Sequence, residues 1–496
     1  MRAVSTSVLR RPDDVGRALG RGAAMQLAGR VLGLLCTLVT IHLAAGYLGV
    51  QRFGEFSLVT DMAALLVLVA EIGVSAILAR EIGRRPERTD TVAALLLGFR
   101  LTASLVVVAL AMAVVPFLPY PNAVKHAMLI AFVGSLAGSI ATFPAAIFQV
   151  NFRFDYIAAS DLLARVAFLA LISVAVVVHA PLTLFAVPFA VANIAQLVFS
   201  FALSRRYWRI GLSLDWRRSR ELIRDAILIG LVALIGLLHF KADVLIMSLM
   251  RPARDVGIYS VAYRSIEQVL FLPLMLTGTL FPVLNRVVYA RRTDSQLPAA
   301  LVMTLFSLGL PVGIVLFALA RPMVTLLASD AFERAAAPLA VLAFSVPFVF
   351  GGTILTSLLV ITGSTRQLLG VPLVALVVNV GLNLYVVRHW GYMGAAVTTV
   401  ATETLCFVGL LRAARRACSL RFPLDRLARI AAATVAGWGV VVATADAPAL
   451  VTAAAGLAAW SLVLGLLRTV TRADVRTMRV LIGRAAQPPK LADVPG

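Results

Sequence analysis

Apolar runs of about 20 residues follow one another along nearly the whole chain, separated by short polar or basic stretches. They fall at roughly 22–46, 54–79, 91–117, 126–150, 156–179, 182–203, 225–249, 257–285, 298–320, 337–361, 367–387, 392–411, 430–445 and 449–467, and are called spans 1 to 14 here. A run of that length crosses the hydrocarbon core of a bilayer as a helix. Backbone polar groups find no water there, which leaves only helices or a closed barrel. None of the runs shows the period-2 alternation of a barrel strand. The pattern predicts an all-α integral membrane protein of about fourteen transmembrane helices. Composition agrees, since 60% of residues are hydrophobic and 14% charged, too apolar for a soluble fold of this size.

The net charge of +21 would suggest nucleic acid in a soluble chain. Here the arginines sort by loop. Arg2, Arg10, Arg11, Arg17 and Arg21 precede span 1, and Arg80, Arg84, Arg85 and Arg88 follow span 2. Arg205, Arg206, Arg209, Arg217, Arg218, Arg220 and Arg224 lie between spans 6 and 7, and Arg412, Arg415, Arg416, Arg421, Arg426 and Arg429 between spans 12 and 13. The alternate loops are poor in charge. By the positive-inside rule both termini are expected in the cytoplasm, and no nucleic-acid partner is expected. The first residues are too polar for a cleavable signal. Arginine used almost to the exclusion of lysine suggests a GC-rich bacterial genome, hence a bacterial cytoplasmic (inner) membrane protein.

Cys36, Cys406 and Cys418 are scattered and show neither metal spacing nor a disulfide framework, and no cofactor or metal is expected. No soluble domain is expected either. The longest outer loop is predicted at about 321–338. In the tail, Arg468, Arg472, Arg476 and Arg479 recur near one helical face, as in a helix resting on anionic lipids.

Two segments look like copies of one another. Gly54-Glu55-Phe56-Ser57-Leu58-Val59 opens span 2, and Gly257-Ile258-Tyr259-Ser260-Val261-Ala262 opens span 8. Six spans separate them, an even number, so the copies have the same orientation. That predicts two parallel six-helix repeats about an axis along the membrane normal, followed by two extra helices. The expected organisation is a basic cytoplasmic N-terminus (1–21), a first bundle (22–210), a linker (211–224), a second bundle (225–415), helices 13 and 14 (416–467) and an amphipathic basic tail (468–496). Seven residues past the matched glycines, one copy carries Asp61 and the other Arg264, so the frame repeats while the charge inverts.

At this point the chain resembles the bacterial polysaccharide flippases of the multidrug/oligosaccharidyl-lipid/polysaccharide exporter superfamily. The resemblance lies in Tyr47–Ser57 with Glu71–Ser75, in Asp243–Ile246 with Val256–Arg264 and Phe281–Leu284, in Ala328–Leu339, and in Asn379 and Asn383 with Gly391–Ala396. It implies two bundles around a V-shaped central cavity. It also implies translocation of polyprenyl-pyrophosphate-linked oligosaccharide from the cytoplasmic to the outer leaflet, for an exopolysaccharide or O-antigen. A polysaccharide polymerase and export machinery are the partners such a role suggests.

An anionic diphosphate needs cations within a polar cavity, and charges inside helices are costly unless they face one or are paired. Arg30 and Arg100 lie roughly 10 residues from the cytoplasmic ends of spans 1 and 3, about 15 Å at helical rise, and Lys241 and Arg264 lie about as deep from the outer side. These four are the candidate cargo-binding residues. The acids Asp61, Asp243, Glu403 and Glu267 balance them and are candidate ion-coupling residues. The plainer readings are structural: Arg264 and Glu267, at i,i+3, can neutralise each other, as can Asp161 and Arg165 at i,i+4. Lys241 and Asp243, at i,i+2, cannot share a face. Pro273, Pro282, Pro347 and Pro372 are candidate kinks.

Three other functions fit less well. A multidrug antiporter shares the superfamily but usually has twelve helices. The peptidoglycan-precursor flippase has fourteen, and Gly29-Arg30-Val31-Leu32-Gly33 resembles its first helix. A polymerase or glycosyltransferase would need a sizeable carboxylate-bearing outer loop, whereas these loops are short, the chain has no Asp-x-Asp motif, and its five histidines are dispersed.

Overall fold

A computed structural model describes residues 12–467 apart from 72, 290–296, 419 and 421. The N-terminal arginines Arg2, Arg10 and Arg11 and the basic tail from Arg468 lie outside the described residues, which contain helices and turns and no strand. Eleven helical segments are long and apolar enough to cross a membrane. The chain is an all-α membrane protein.

Two helices extend over more than one predicted span. Pro12–Glu71, with span 1 and most of span 2, runs 60 residues, and Thr365–Cys418, with spans 11 and 12, runs 54. A straight rod of that length would measure about 80–90 Å, against a hydrocarbon core of about 30 Å. Each is broken at a glycine: Gly49 (φ 68°, ψ 175°) between spans 1 and 2, and Gly391 (φ 54°, ψ −136°) between spans 11 and 12. Both glycines fall in predicted outer loops and adopt a backbone that a side chain would strain. Span 8 also divides, into Ala253–Glu267 and Phe271–Tyr289, so the break precedes Pro273 rather than following from a kink within a helix. Pro347 sits in the first turn of Val346–Ile361, where proline costs no hydrogen bond. Pro372 lies within a helix, as does Pro311, which is not among the four predicted kinks.

The predicted outer loop at 321–338 is not a loop. It forms the helix Ala320–Ala328, the 3-10 segment Asp330–Ala335 and the start of Ala336–Leu342. Arg321, Glu333 and Arg334 lie along it, and Val324, Ala328, Phe332, Ala335 and Leu339 are fully buried. Arg321 and Glu333 pair on its outer surface at 2.7 Å. Phe332 meets Phe53 edge to face at 5.5 Å, so this segment caps the predicted outer end of the interface between the repeats.

The apolar core is distributed unevenly. One large cluster joins both repeats near the predicted outer end and includes Phe53, Phe56, Val256, Tyr259 and Phe332. Towards the predicted cytoplasmic end there are separate cores, around Ile77, Phe143 and Trp208 in the first repeat and around Leu284, Leu355 and Leu410 in the second. The repeats are thus fused by a large shared core at one end, while at the other each has its own core, with Ala226 of span 7 packed against that of the first repeat. Spans 13 and 14, Leu424–Ala443 and Ala449–Leu466, form a hairpin on the second repeat, where Trp438 stacks on Phe344 at 4.1 Å.

Candidate functional site between the two repeats

The two matched segments cross one another at their glycines. A methyl group at Gly54 would overlap the carbonyl oxygen of Ala253, and one at Gly257 would overlap that of Val50. Val50 and Gly54 stand in the first copy where Ala253 and Gly257 stand in the second, so the contact is reciprocal, as about a two-fold axis.

Two helical turns deeper, the residues of inverted charge meet. Arg264 Nη2 lies 3.4 Å from Asp61 Oδ1 and donates to Thr60 Oγ1 at 3.0 Å. Lys241 Nζ lies 3.6 Å from Asp61 and 3.3 Å from Glu267, and 5.0 Å from the centre of the Tyr263 ring. The Asp61, Lys241 and Arg264 side chains are 11–19% exposed, whereas Glu267 is 44% exposed, so the cluster opens on the Glu267 side. It comprises two cations and two carboxylates on spans 2, 7 and 8. Helical spacing suggested Arg264 with Glu267; instead Arg264 turns across the interface to Asp61 and Glu267 takes Lys241. The cross-axis pair is the more buried, and burial strengthens an ion pair provided both partners stay hydrogen-bonded.

Asp243 faces away from Lys241, as the i,i+2 spacing requires. It accepts a short hydrogen bond from the Tyr259 hydroxyl, one of 3.2 Å from Thr399 Oγ1, and one of 2.9 Å from the Val244 backbone. One turn earlier on the same helix, His239 Nε2 lies 3.1 Å from Glu403 Oε1, with both residues buried. Asn383 donates to Asn379 at 3.0 Å, and Asn379 to Thr402 at 3.1 Å. These groups form a buried polar seam inside the second repeat. Tyr259→Phe leaves the Asp243 carboxylate short of a donor and is expected to cost about 1–3 kcal/mol of stability, measurable as earlier thermal unfolding in detergent.

His239 went unread because its partner is 164 residues away; the available signal was its place one turn before Asp243 on the same helix.

In the first repeat Arg100 is fully buried, donating to Ser75 Oγ at 3.0 Å and Thr142 Oγ1 at 2.6 Å. Arg30 is exposed. Asp161 and Arg165 turn to different neighbours: Gln196 donates to Asp161 at 3.1 Å, and Arg165 donates to Thr37 at 2.7 Å. The candidate residues therefore divide into three places: the interface cluster (Asp61, Lys241, Arg264, Glu267), the seam (Asp243, Glu403) and the first repeat (Arg30, Arg100). At the predicted cytoplasmic end, Arg80 Nη2 bridges spans 2 and 7 to Asp225 Oδ2 at 2.7 Å. The repeats thus touch through charged side chains towards both ends.

No curated protein matches the sequence. Among solved structures, the chain is similar to "Lipid II flippase MurJ, inward closed conformation", with a TM-score of 0.70 and 15% identity over 90% of this chain and 98% of that one. It is similar to an inward-facing multidrug resistance MATE family transporter of the MOP superfamily, with a TM-score of 0.62 and 14% identity over 80% of this chain and 98% of that one. A MOP superfamily transporter from Pyrococcus furiosus aligns with a TM-score of 0.60 and 18% identity over 82% of this chain and 97% of that one. At these identities the likeness is one of fold. The family model described as "Polysaccharide biosynthesis protein" matches residues 19–288, which hold all four members of the interface cluster. On that match, over more than half of its length, the chain belongs to the polysaccharide biosynthesis protein family, with the fold of the MOP-superfamily transporters.

Proposed function

We propose that the protein is a flippase. It carries polyprenyl-pyrophosphate-linked oligosaccharide repeat units from the cytoplasmic to the outer leaflet of a bacterial inner membrane for cell-surface polysaccharide synthesis. The observation that carries this reading is the charged cluster on the axis between the repeats, inside the region matched to the family. This reading takes fourteen crossings with both termini cytoplasmic, which the arginine distribution and the two glycine breaks support.

The cluster is neutral as a unit, with Lys241 and Arg264 held by Asp61 and Glu267. A diphosphate that reaches it offers the same cations several oxygens in place of two carboxylates, and Arg264 suits that geometry. Exchange of partners releases Asp61, and with it one tie across the interface. Transport by alternating access then has a local trigger, which is differential binding of the cargo to the parted state. Asp61, Asp243, Glu403 and Glu267 remain the carboxylates through which a proton or sodium ion would couple. No step calls for a catalytic residue. Polysaccharide polymerase and export machinery would act on the delivered cargo.

The test is complementation. Expression in a strain lacking its own repeat-unit flippase should restore surface polysaccharide, and failure with the protein present in the membrane would count against the reading. A second reading, lipid II as cargo, is favoured by the TM-score of 0.70 to the lipid II flippase over 90% of this chain. It shares the diphosphate and differs in the glycan, so rescue of a strain depleted of its lipid II flippase separates the two.

A further inference from the structure

Span 2 is not one helix. Its outer part ends at Glu71, and a second helix, Val74–Arg84, begins after a break. Gly73 stands at the start of that helix with φ 65° and ψ 8°, a left-handed backbone, and no side chain caps the terminus. The first bond of the new ladder runs from Ile77 N–H to Gly73 C=O at 3.3 Å. The N–H groups of Val74, Ser75 and Ala76 precede it and carry the positive end of the helix.

Arg100 is aimed at this terminus. Its Nη1 donates to Ser75 Oγ, in the first turn, and its Nη2 to Thr142 Oγ1, where span 4 is likewise interrupted between Asn122–Ala141 and Pro144–Val150. The residue is 0% exposed and its Nε has no hydrogen-bond partner. Both of its hydrogen bonds go to neutral hydroxyls. A buried cation held that way is costly unless an anion completes its shell. Glu71 reaches it only through its field.

We propose that the Gly73 break and Arg100 together form a phosphoryl-binding subsite in the first repeat, which holds one phosphate of the lipid diphosphate on the cytoplasmic side of the route to Lys241 and Arg264. This assignment of the ligand rests on the flippase reading. Asp61 and Ser75 are 14 positions apart on span 2, about 20 Å at helical rise, so the two stations lie at different depths. Discontinuous helices present half-helix N-termini to anionic cargo in other transporter folds, because the dipole and the free N–H groups act together. In the present conformation span 7 covers the break. A methyl at Gly73 would meet Gly230 N at 2.7 Å and Ile229 Cβ at 3.0 Å, and Arg80–Asp225 ties the same two helices together. Parting spans 2 and 7 uncovers the terminus, whose first turn carries Ser75, the partner of Arg100. Glu71 is the competing charge that partly balances Arg100 while no anion is bound.

Inorganic pyrophosphate binding to the purified full-length protein is the test, read by isothermal titration at fixed ionic strength. The other candidate cations are first removed as Lys241→Gln, Arg264→Gln and Arg30→Gln, so that the response reports the proposed subsite. Pyrophosphate is expected to bind this background. Arg100→Gln should weaken it at least about tenfold and Arg100→Lys by less, since a lysine keeps the charge without the fork. Glu71→Gln should tighten it several-fold, a gain that misfolding cannot mimic. No binding in the background, or binding indifferent to both Arg100→Lys and Glu71→Gln, would overturn the subsite. Flipping of lipid-linked oligosaccharide distinguishes the two levels. Intact flipping with no Arg100-dependent binding removes the subsite and keeps the flippase. Arg100-dependent binding without flipping of that cargo keeps an oxyanion site and removes the flippase reading.

Discussion

Asp61→Arg alone is expected to abolish transport, and Asp61→Arg combined with Arg264→Asp to restore most of it. The single change sets three cations within a few ångströms in a region where the side chains are 11–19% exposed. Unpaired buried charge costs about 3–5 kcal/mol, enough for a loss of about 10²–10³-fold if it falls on the state that must close. The double change returns an ion pair to the same two positions, because these are equivalent places on either side of the axis. Rescue is incomplete, since Lys241 also leans on Asp61 at 3.6 Å and then keeps only Glu267. Export of surface polysaccharide, or flipping in vesicles, reads the outcome. A double variant as inactive as the single one would contradict the pairing.

The other large effect is steric. Gly54→Val and Gly257→Val each put side-chain atoms into a backbone carbonyl of the opposite repeat, and a carbonyl within a helix cannot rotate away. In the proposed cycle the repeats separate at their predicted outer ends, where the shared core holding Phe53 and Tyr259 now joins them. Transport is expected to fall about a hundredfold or more while the cores at the opposite, predicted cytoplasmic end keep the helices packed. Ser57, fully buried one turn from Gly54, reports the opening. After removal of the native cysteines, Ser57→Cys should be protected from a thiol reagent in the parent and labelled in the Gly257→Val background. Protection in both would mean that the crossing at the glycines does not govern closure.

Much of the frame was legible because long apolar runs allow few alternatives in lipid. The repeat was legible too: Gly54 and Gly257 share a position in their copies because both lie where the copies touch. The partners of the charges were not. Helical spacing favours Arg264 with Glu267, and only the axis, a property of two distant segments, brings Asp61 to Arg264 instead. Glu403 stood alone in sequence for the same reason, since its partner His239 comes from another helix. The segment 321–338 misled because its charges sit on one side of short helices whose other side is apolar. The break at Gly73 was present as the string Glu71-Ile72-Gly73 within an apolar run, where a glycine does not by itself reveal a left-handed residue.

The proposed route takes a diphosphate-linked glycan between the repeats through the Asp61–Lys241–Arg264–Glu267 cluster. The most direct measurement places the purified protein in vesicles with a fluorescent polyprenyl-pyrophosphate oligosaccharide and follows its appearance in the opposite leaflet. Flipping by the parent protein, lost in Arg264→Ala and at least partly regained in the charge-swapped pair, is the predicted result. Flipping that proceeds unchanged in Arg264→Ala, or no flipping of this cargo by a folded parent protein, would contradict it.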